Sequence, residues 1–437
     1  MKELYDRLIE YEKSDGVPYA EGKMKDAQKF AATVCQADET YFLVNGSRGG
    51  ILSAVFSATK QGGELLMARN CQSSVYYAAE MRELKTHYLY PEVLPEGILG
   101  EITVEMVEEA FEKYPDAKTL IFTSPTCDGV VSDVKTIVKA AHTRGVTVIV
   151  DESHGAHFLK ESGFPKSAIR CGADVVVQSI HKTLPALAQT ALLHVNQDYK
   201  YKEKIRKYLT MFQTSKPSHV LMSSIDFAMH WYMDEGRETY KKYLADLKKL
   251  RTALKAKLNH LEILEPENVF DYDISKLLIS ARKGNISGEE LHKKLLKKYH
   301  IQAEMVSAND VLFMTSVTDK EEYFRRLLDA LLEIDETLED NPMPGKAEEE
   351  MSKPKSLMRI CEAIEAKKKA LPLMESMGET CGVYVYIYPP GIPLLTPGEK
   401  ISERCVRSLL FYLEEGLKVH GLTKEREIEV VWEEFFT

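Results

Sequence analysis

The 437-residue sequence contains no C-x-x-C pair, no excess of positive charge and no Gly-Lys-Ser/Thr phosphate loop. Its seven cysteines (Cys35, Cys71, Cys127, Cys171, Cys361, Cys381 and Cys405) are scattered and odd in number, which argues against a disulfide framework or a zinc ribbon. No stretch approaches the ~18 uninterrupted apolar residues of a membrane span. The opening "MKELYDRLIEYEKSDG" is charged and amphipathic and does not resemble a signal peptide. These features point to a cytoplasmic protein with no membrane partner. A net charge of −10 gives no general attraction to nucleic acid. There is no internal repeat and no long low-complexity tract.

What is present is ordinary globular material, 44% hydrophobic and 28% charged. The length exceeds the roughly 250–300 residues at which one core stops growing, so more than one domain is expected. Between residues 40 and 195, short apolar runs alternate with helical patterns. "TLIFTSPT" (119–126) reads as a strand, "DVKTIVKAAHTRG" (133–145) as a helix with one apolar face, and "VTVIVDESHG" (146–155) as a second buried strand. This rhythm predicts an α/β fold built on a mostly parallel sheet, followed by a smaller α+β C-terminal region. The expected divisions are a helical arm over 1–20, a major domain over 21–260 and the C-terminal region over 261–437. The long charged helix at 236–260 would connect the two larger parts. A proline-rich, charged stretch at 335–356 reads as a linker.

In a parallel sheet, ligands sit beyond the carboxyl ends of the strands. Two such ends carry chemistry. The run Val175–Val177 leads abruptly into Gln178, Ser179, Ile180, His181 and Lys182, and the strand before it ends in Asp151. A lysine in a water-poor site loses its charge readily and becomes a nucleophile toward carbonyls. Ser179 and His181 offer donors to a phosphate, and Asp151 can hold a cationic ring nitrogen. Together these groups fit pyridoxal 5'-phosphate. A third segment, "FLVNGSRGGILSAV" (42–55), places Gly46, Ser47 and Arg48 before a helical pattern, where backbone N–H groups can bind an anion. Asp151, His154 and His157 in "DESHGAH" superficially resemble metal ligands. Coming directly after a buried strand, they read as part of the same cofactor site, with no metal expected.

The segments "DESHGAH", "QSIHKTLPA", "MFQTSKPSHVLMSSID" and "YPPGIPLLTPGE" resemble the ornithine/lysine/arginine decarboxylases, pyridoxal-phosphate enzymes of the aspartate-aminotransferase fold. The likeness runs from about residue 18 to past 400, and it is to the short members that lack a receiver-like N-terminal domain. It implies decarboxylation of lysine, ornithine or arginine to an amine and CO2. Lys182 would bond to the cofactor aldehyde, Asp151 would pair with the ring nitrogen, and His154 would lie against the ring. Ser179 and His181 would hold the phosphate, with Gly46 and Ser47 contributing. The resemblance also implies a homodimer with shared active sites, in which Thr214 and Ser215 serve the partner. Asp128 and Glu399 are the candidates for the carboxylate that recognises the substrate's side-chain cation.

Five positions depart from the family pattern. Gln72 stands where a ring-stacking histidine is usual, Arg48 where a small hydroxylated residue is usual, and Cys127 where tyrosine is common. Lys216 and His219 replace a serine and a tyrosine. Such a cluster leaves room for a different reaction on an amino acid, such as transamination, elimination or oxidation, or for a non-catalytic regulator. Retention of Lys182, Asp151, Ser179 and His181 together argues against the last.

Overall fold

Seven strands form the central sheet of the computed structural model, which describes residues 20–341, 351–387, 391–414 and 418–432. In chain order these are β1 (Glu39–Leu43), β2 (Glu64–Ala68), β3 (Lys85–Leu89), β4 (Thr119–Thr123), β6 (Thr147–Asp151), β7 (Val175–Gln178) and β8 (Ala191–Val195). A two-residue strand, β5 (Val130–Val131), lies outside the sheet and pairs with Asp271–Tyr272. The spatial order is β1-β8-β7-β6-β4-β2-β3. Neighbours from β3 to β7 run parallel, and β8 is antiparallel to both β7 and β1. The central strands are buried on both faces: Leu120–Phe122, Val148–Val150 and Val175–Val177 are fully inaccessible. That is why they read in sequence as continuous apolar runs and not as alternating ones.

Helices cover both faces. The helix predicted at 133–145 spans Val134–Thr143, and Asp133 caps it by accepting from the Thr136 N–H at 3.1 Å. Its Ile137, Val138 and Ala141 face the core. Helix α1 (Gly22–Cys35) packs on the other side of the sheet, and α2 (Gly46–Ala58) follows β1 directly. Gly50 of α2 has no room for a side chain, since a Cβ there would lie 2.6 Å from Leu43 and 3.0 Å from Val177. This close approach seats α2 against β1 and β7.

The long helix predicted at 236–260 spans Arg237–Lys257 and joins a four-stranded antiparallel sheet. In that sheet Met305–Val306, Asp310–Met314, Lys276–Ser280 and Glu262–Leu264 lie side by side. Leu247, Leu250 and Leu254 of the helix share one core with Leu277, Ile279, Leu331 and Ile334. A separate core gathers Cys381, Val385, Leu395, Ile401, Leu409 and Ile428. The smaller sheet therefore shares its core with Met24, Phe42 and Leu192 of the major domain, while the later segments have a core of their own. The stretch predicted as a linker begins later than expected, because Asp335 ends the helix Glu321–Asp335 and accepts from the N–H groups of Asn259, His260 and Leu261. Residues 342–350 of that stretch, and 1–19 of the predicted helical arm, lie outside the described residues. Among the described residues, no helix is long and apolar enough to cross a membrane.

One charged cluster ties the major sheet to the smaller one. Asp273 accepts from Lys276 Nζ at 2.9 Å and pairs with His157 Nε2 at 3.2 Å, with all three side chains buried. Burial alone would raise the Asp273 carboxyl, but Lys276 and His157 outweigh it and hold it well below the usual carboxylate range. The stability this group contributes is therefore present above the ordinary carboxylate pKa and is lost as the pH falls below it. Asp273→Asn leaves the Lys276 ammonium without its counter-charge and should cost about 3–5 kcal/mol, read as a lowered urea midpoint at neutral pH. An unchanged midpoint would mean that Lys276 is not charged in the fold.

Candidate active site

The carboxyl ends of β2, β4 and β6 and the turn after β7 open on one cavity of about 610 Å³. Asp151, the last residue of β6, lines it. The next strand stops at Gln178, and a single 3-10 turn, Ile180–Lys182, swings Lys182 into the same space. This turn is the local reason that a buried strand can end in polar residues: the chain leaves the sheet where the cavity begins.

Asp151 is 2% exposed and fully engaged on one side. Its Oδ1 accepts from the Ser153 N–H and Oγ at 3.1 and 2.5 Å, and its Oδ2 accepts from Gln72 Nε2 at 2.7 Å. A carboxylate has about four acceptor sites, so about one remains for a further donor. Gln72, where a histidine was expected from the family pattern, thus bonds the acid directly. Across the cavity, Lys182 Nζ lies 2.8 Å from His154 Nε2. Burial lowers the Lys182 amine below an ordinary lysine, partly opposed by the charges of Asp151 and Glu304. His154 is held well below the usual histidine range by burial and by the neighbouring Lys182 and Lys276 charges, so it is neutral. Its Nδ1 is buried with no partner among the described residues.

The remaining expected residues are distributed unevenly. Ser47 and Arg48 line the cavity, and the Arg48 guanidinium lies over the Tyr77 ring at 5.6 Å. Gly46 does not line it: with φ +71°, it turns the chain into α2, and its N–H donates to the Gln189 carbonyl at 2.8 Å. That N–H is therefore spent within the protein, which corrects the expectation of an anion contact at Gly46. Ser179 is buried and His181 Nδ1 bonds the Thr190 carbonyl at 2.7 Å; neither lines the cavity. Thr214 and Ser215 are exposed and also outside it. Cys127 and Asp128 line it together, with Sγ 3.4 Å from Asp128 Oδ2. Burial pushes the Cys127 thiol up, which removes it as a nucleophile. Burial, reinforced by the charge of Asp310, pushes the Asp128 carboxyl up to about 6.

Glu399 is the second correction. It is 1% exposed and does not line the cavity. Both of its oxygens are taken by Arg69, at 2.9 and 3.0 Å, and Oε2 also accepts from the Thr396 N–H. Arg69 further donates to the Leu394 carbonyl and lies over the Tyr88 ring at 4.8 Å. A carboxylate paired bidentately with a buried arginine and lying outside the cavity is not placed to meet a substrate cation. Its role is to fasten the C-terminal unit, whose Ile392–Leu395 segment walls the cavity, to the end of β2. Sequence reasoning missed Arg69 and Asn70, although they end a buried strand in polar groups just as Asp151 does.

Comparison with known proteins places these features in a family. Residues 5–277 match the Orn/Lys/Arg decarboxylase major domain, and residues 345–427 match the C-terminal domain of the same family. An arginine decarboxylase of Bacillus subtilis is 31% identical over 95% of this chain and 86% of its own length. One from Halalkalibacterium halodurans is 32% identical over 95% and 86%. Among solved structures, the lysine decarboxylase LdcF of Francisella novicida superposes with a TM-score of 0.81 at 20% identity, covering 94% of this chain and 72% of that one. A ureidoglycine-glyoxylate aminotransferase of B. subtilis superposes at 0.59 with 13% identity, covering 76% and 89%.

The geometry separates fastening from recognition experimentally. Glu399→Gln leaves Arg69 buried without its counter-charge and should destabilise the protein by about 3–5 kcal/mol while leaving amino-acid preference unchanged. Altered preference at unchanged thermal stability would return Glu399 to the substrate.

Proposed function

The chain belongs to the Orn/Lys/Arg decarboxylase family, and from that membership we propose that it removes the α-carboxylate of a basic amino acid with the help of pyridoxal phosphate. Arginine is the first candidate, because relatives named arginine decarboxylase match nearly the whole chain at 31–32% identity. The observation that carries the reading is the desolvated amine of Lys182 in the same cavity as Asp151. A nucleophilic amine, a carboxylate with an acceptor site in reserve and the Ser47–Arg48 helix start suit an aldehyde, a protonated ring nitrogen and a phosphate respectively. The unpartnered His154 Nδ1 is a further buried polar atom at the cavity wall.

When bound, the cofactor would supply an electron sink for the pair left as CO2 departs. The protein's part is positioning and proton traffic. Asp151, fixed by Gln72 and Ser153, would hold the ring nitrogen. Lys182 Nζ would hold the aldehyde carbon and would carry a proton to the substrate's α-carbon, with His154 Nε2 beside it at 2.8 Å. The apolar Ile392–Leu395 wall limits water, which protects that protonation from competing reactions. A second copy of this chain would cover Leu187, Met211 and Val220, exposed apolar residues flanking the Thr214–His219 segment. This supports a homodimer with Thr214 and Ser215 near the partner's site.

Product analysis by mass spectrometry tests the reading. The purified protein, supplied with pyridoxal phosphate, should release one CO2 and one amine from arginine, lysine or ornithine without consuming oxygen. Lys182→Ala should lower the rate by more than about 10²-fold. A keto acid or an oxidised product in place of the amine would overturn it.

Asp128 gives the expected pH dependence. Its carboxyl, lifted to about 6 by burial, gains a proton as the pH falls through that value and loses its pull on a cation. Lys276 and Asp310 are the charged groups acting on it. KM for the basic amino acid should therefore rise below about pH 6, and Asp128→Asn should show a high KM with no such rise.

A further inference from the structure

Gln72 precedes the helix Ser73–Met81 as its N-cap, with φ −66° and ψ 159°, yet its side chain makes no capping bond. The helix thereby forgoes one of its ordinary stabilising contacts. The backbone at this point is fixed all the same: the Gln72 carbonyl accepts from the Val75 N–H at 3.0 Å, and Cys71 beside it is buried. The amide reaches instead to a residue 79 positions along the chain, where Nε2 donates to Asp151 Oδ2 at 2.7 Å. An ionised carboxylate only accepts, so the nitrogen end of the amide must face it. Both residues line the cavity.

The orientation of Asp151 does not require this bond. Ser153 holds Oδ1 through its N–H at 3.1 Å and its Oγ at 2.5 Å, which fills that oxygen's two acceptor positions and fixes the rotation of the carboxylate. Gln72 adds a third donor, on the oxygen that still has an acceptor position free. Among the described residues, the hydrogen bonds to the Asp151 side chain all come from neutral groups. A neutral donor spreads part of a carboxylate's charge and lowers its pull on a proton held by a neighbour. A ring nitrogen paired with Asp151 would have to share Oδ2 with the amide.

We propose that Gln72 is a positioning residue that acts through Asp151 to limit protonation of the cofactor's ring nitrogen, and so keeps the electron pair left by CO2 close to the substrate's α-carbon. This role rests on the proposed pyridoxal-phosphate reaction. A fully protonated ring draws that pair further away, and a proton then reaches the cofactor's aldehyde carbon in place of the α-carbon. The net outcome of that misdirected proton, from one amino acid and one pyridoxal phosphate, is CO2, an aldehyde and pyridoxamine phosphate. The substrate carbon loses two electrons and the cofactor carbon gains them. By damping Asp151, Gln72 holds the reaction to the amine.

Gln72→Met keeps the length of the side chain and removes the donor, and Gln72→Asn keeps the amide but is one methylene too short to reach. In protein reconstituted with pyridoxal phosphate carrying nitrogen-15 in the ring, both variants should move the ring-nitrogen resonance toward that of a protonated pyridine, a readout that needs no turnover. With whichever basic amino acid the wild type decarboxylates, aldehyde and pyridoxamine phosphate formed per CO2 should rise by about 10-fold in both. An unmoved resonance or an unmoved aldehyde fraction in both folded variants overturns the proposal, and so does a resonance that moves the other way. If the wild type shows no cofactor absorbance that Lys182→Ala abolishes, the cofactor reading fails and this role fails with it. If the wild type binds the cofactor and releases an amine while the variants leave the resonance in place, the role of Gln72 fails alone.

Discussion

A buried strand that ends in charge must deliver that charge to a partner, and this requirement organises the protein around its cavity. Asp151 at the end of β6 is met by Gln72 and Ser153, Arg69 just beyond β2 by Glu399, and Lys182 after β7 by His154. Asp151, Arg69 and Glu399 are buried, so their pairings fix the positions of the backbone segments that carry them. At the cavity the pairings are incomplete: His154 Nδ1, Asn70 Oδ1 and Asp310 Oδ1 have no partner among the described residues. Unmet polar atoms at a buried surface indicate what a ligand has to bring.

The cavity is built from a frame and from walls that other units supply. The frame here is the parallel sheet with its lysine and aspartate, and structures as distant as an aminotransferase superpose on it. The walls come from elsewhere: Asp310, Met305 and Leu312 from the smaller sheet, and Ile392–Leu395 from the C-terminal unit. Of the five departures from the family pattern, three (Arg48, Gln72 and Cys127) line this chain's own cavity, while Lys216 and His219 do not. Gln72 bonds Asp151 of the frame, and Cys127 sits beside Asp128 on a wall.

The parts of this arrangement that follow from local rules were legible in the sequence. Buried parallel strands announce themselves as continuous apolar runs, and the polar residues that follow them, Asp151 and Lys182, line one cavity. What could not be read were contacts across large sequence separations. The Arg69–Glu399 pair spans 330 positions, and nothing in "TPGE" tells a substrate carboxylate from a structural one. Gly46 looked like an anion contact because its position in the loop was right, but the Gln189 carbonyl that consumes its N–H lies far along the chain.

The Arg69–Glu399 bond also constrains how such a chain can be shortened. A version ending before residue 345 would keep the strand ends that carry Asp151 and Lys182, and the smaller sheet. It would also strip the Ile392–Leu395 wall and leave a guanidinium stranded beneath two tyrosine rings, with water entering the cavity. The C-terminal unit has its own hydrophobic core, yet it cannot be an optional appendage. Its presence decides whether the interior stays dry, so trimming it would change the solvent of the reaction before it changed any residue that touches the substrate.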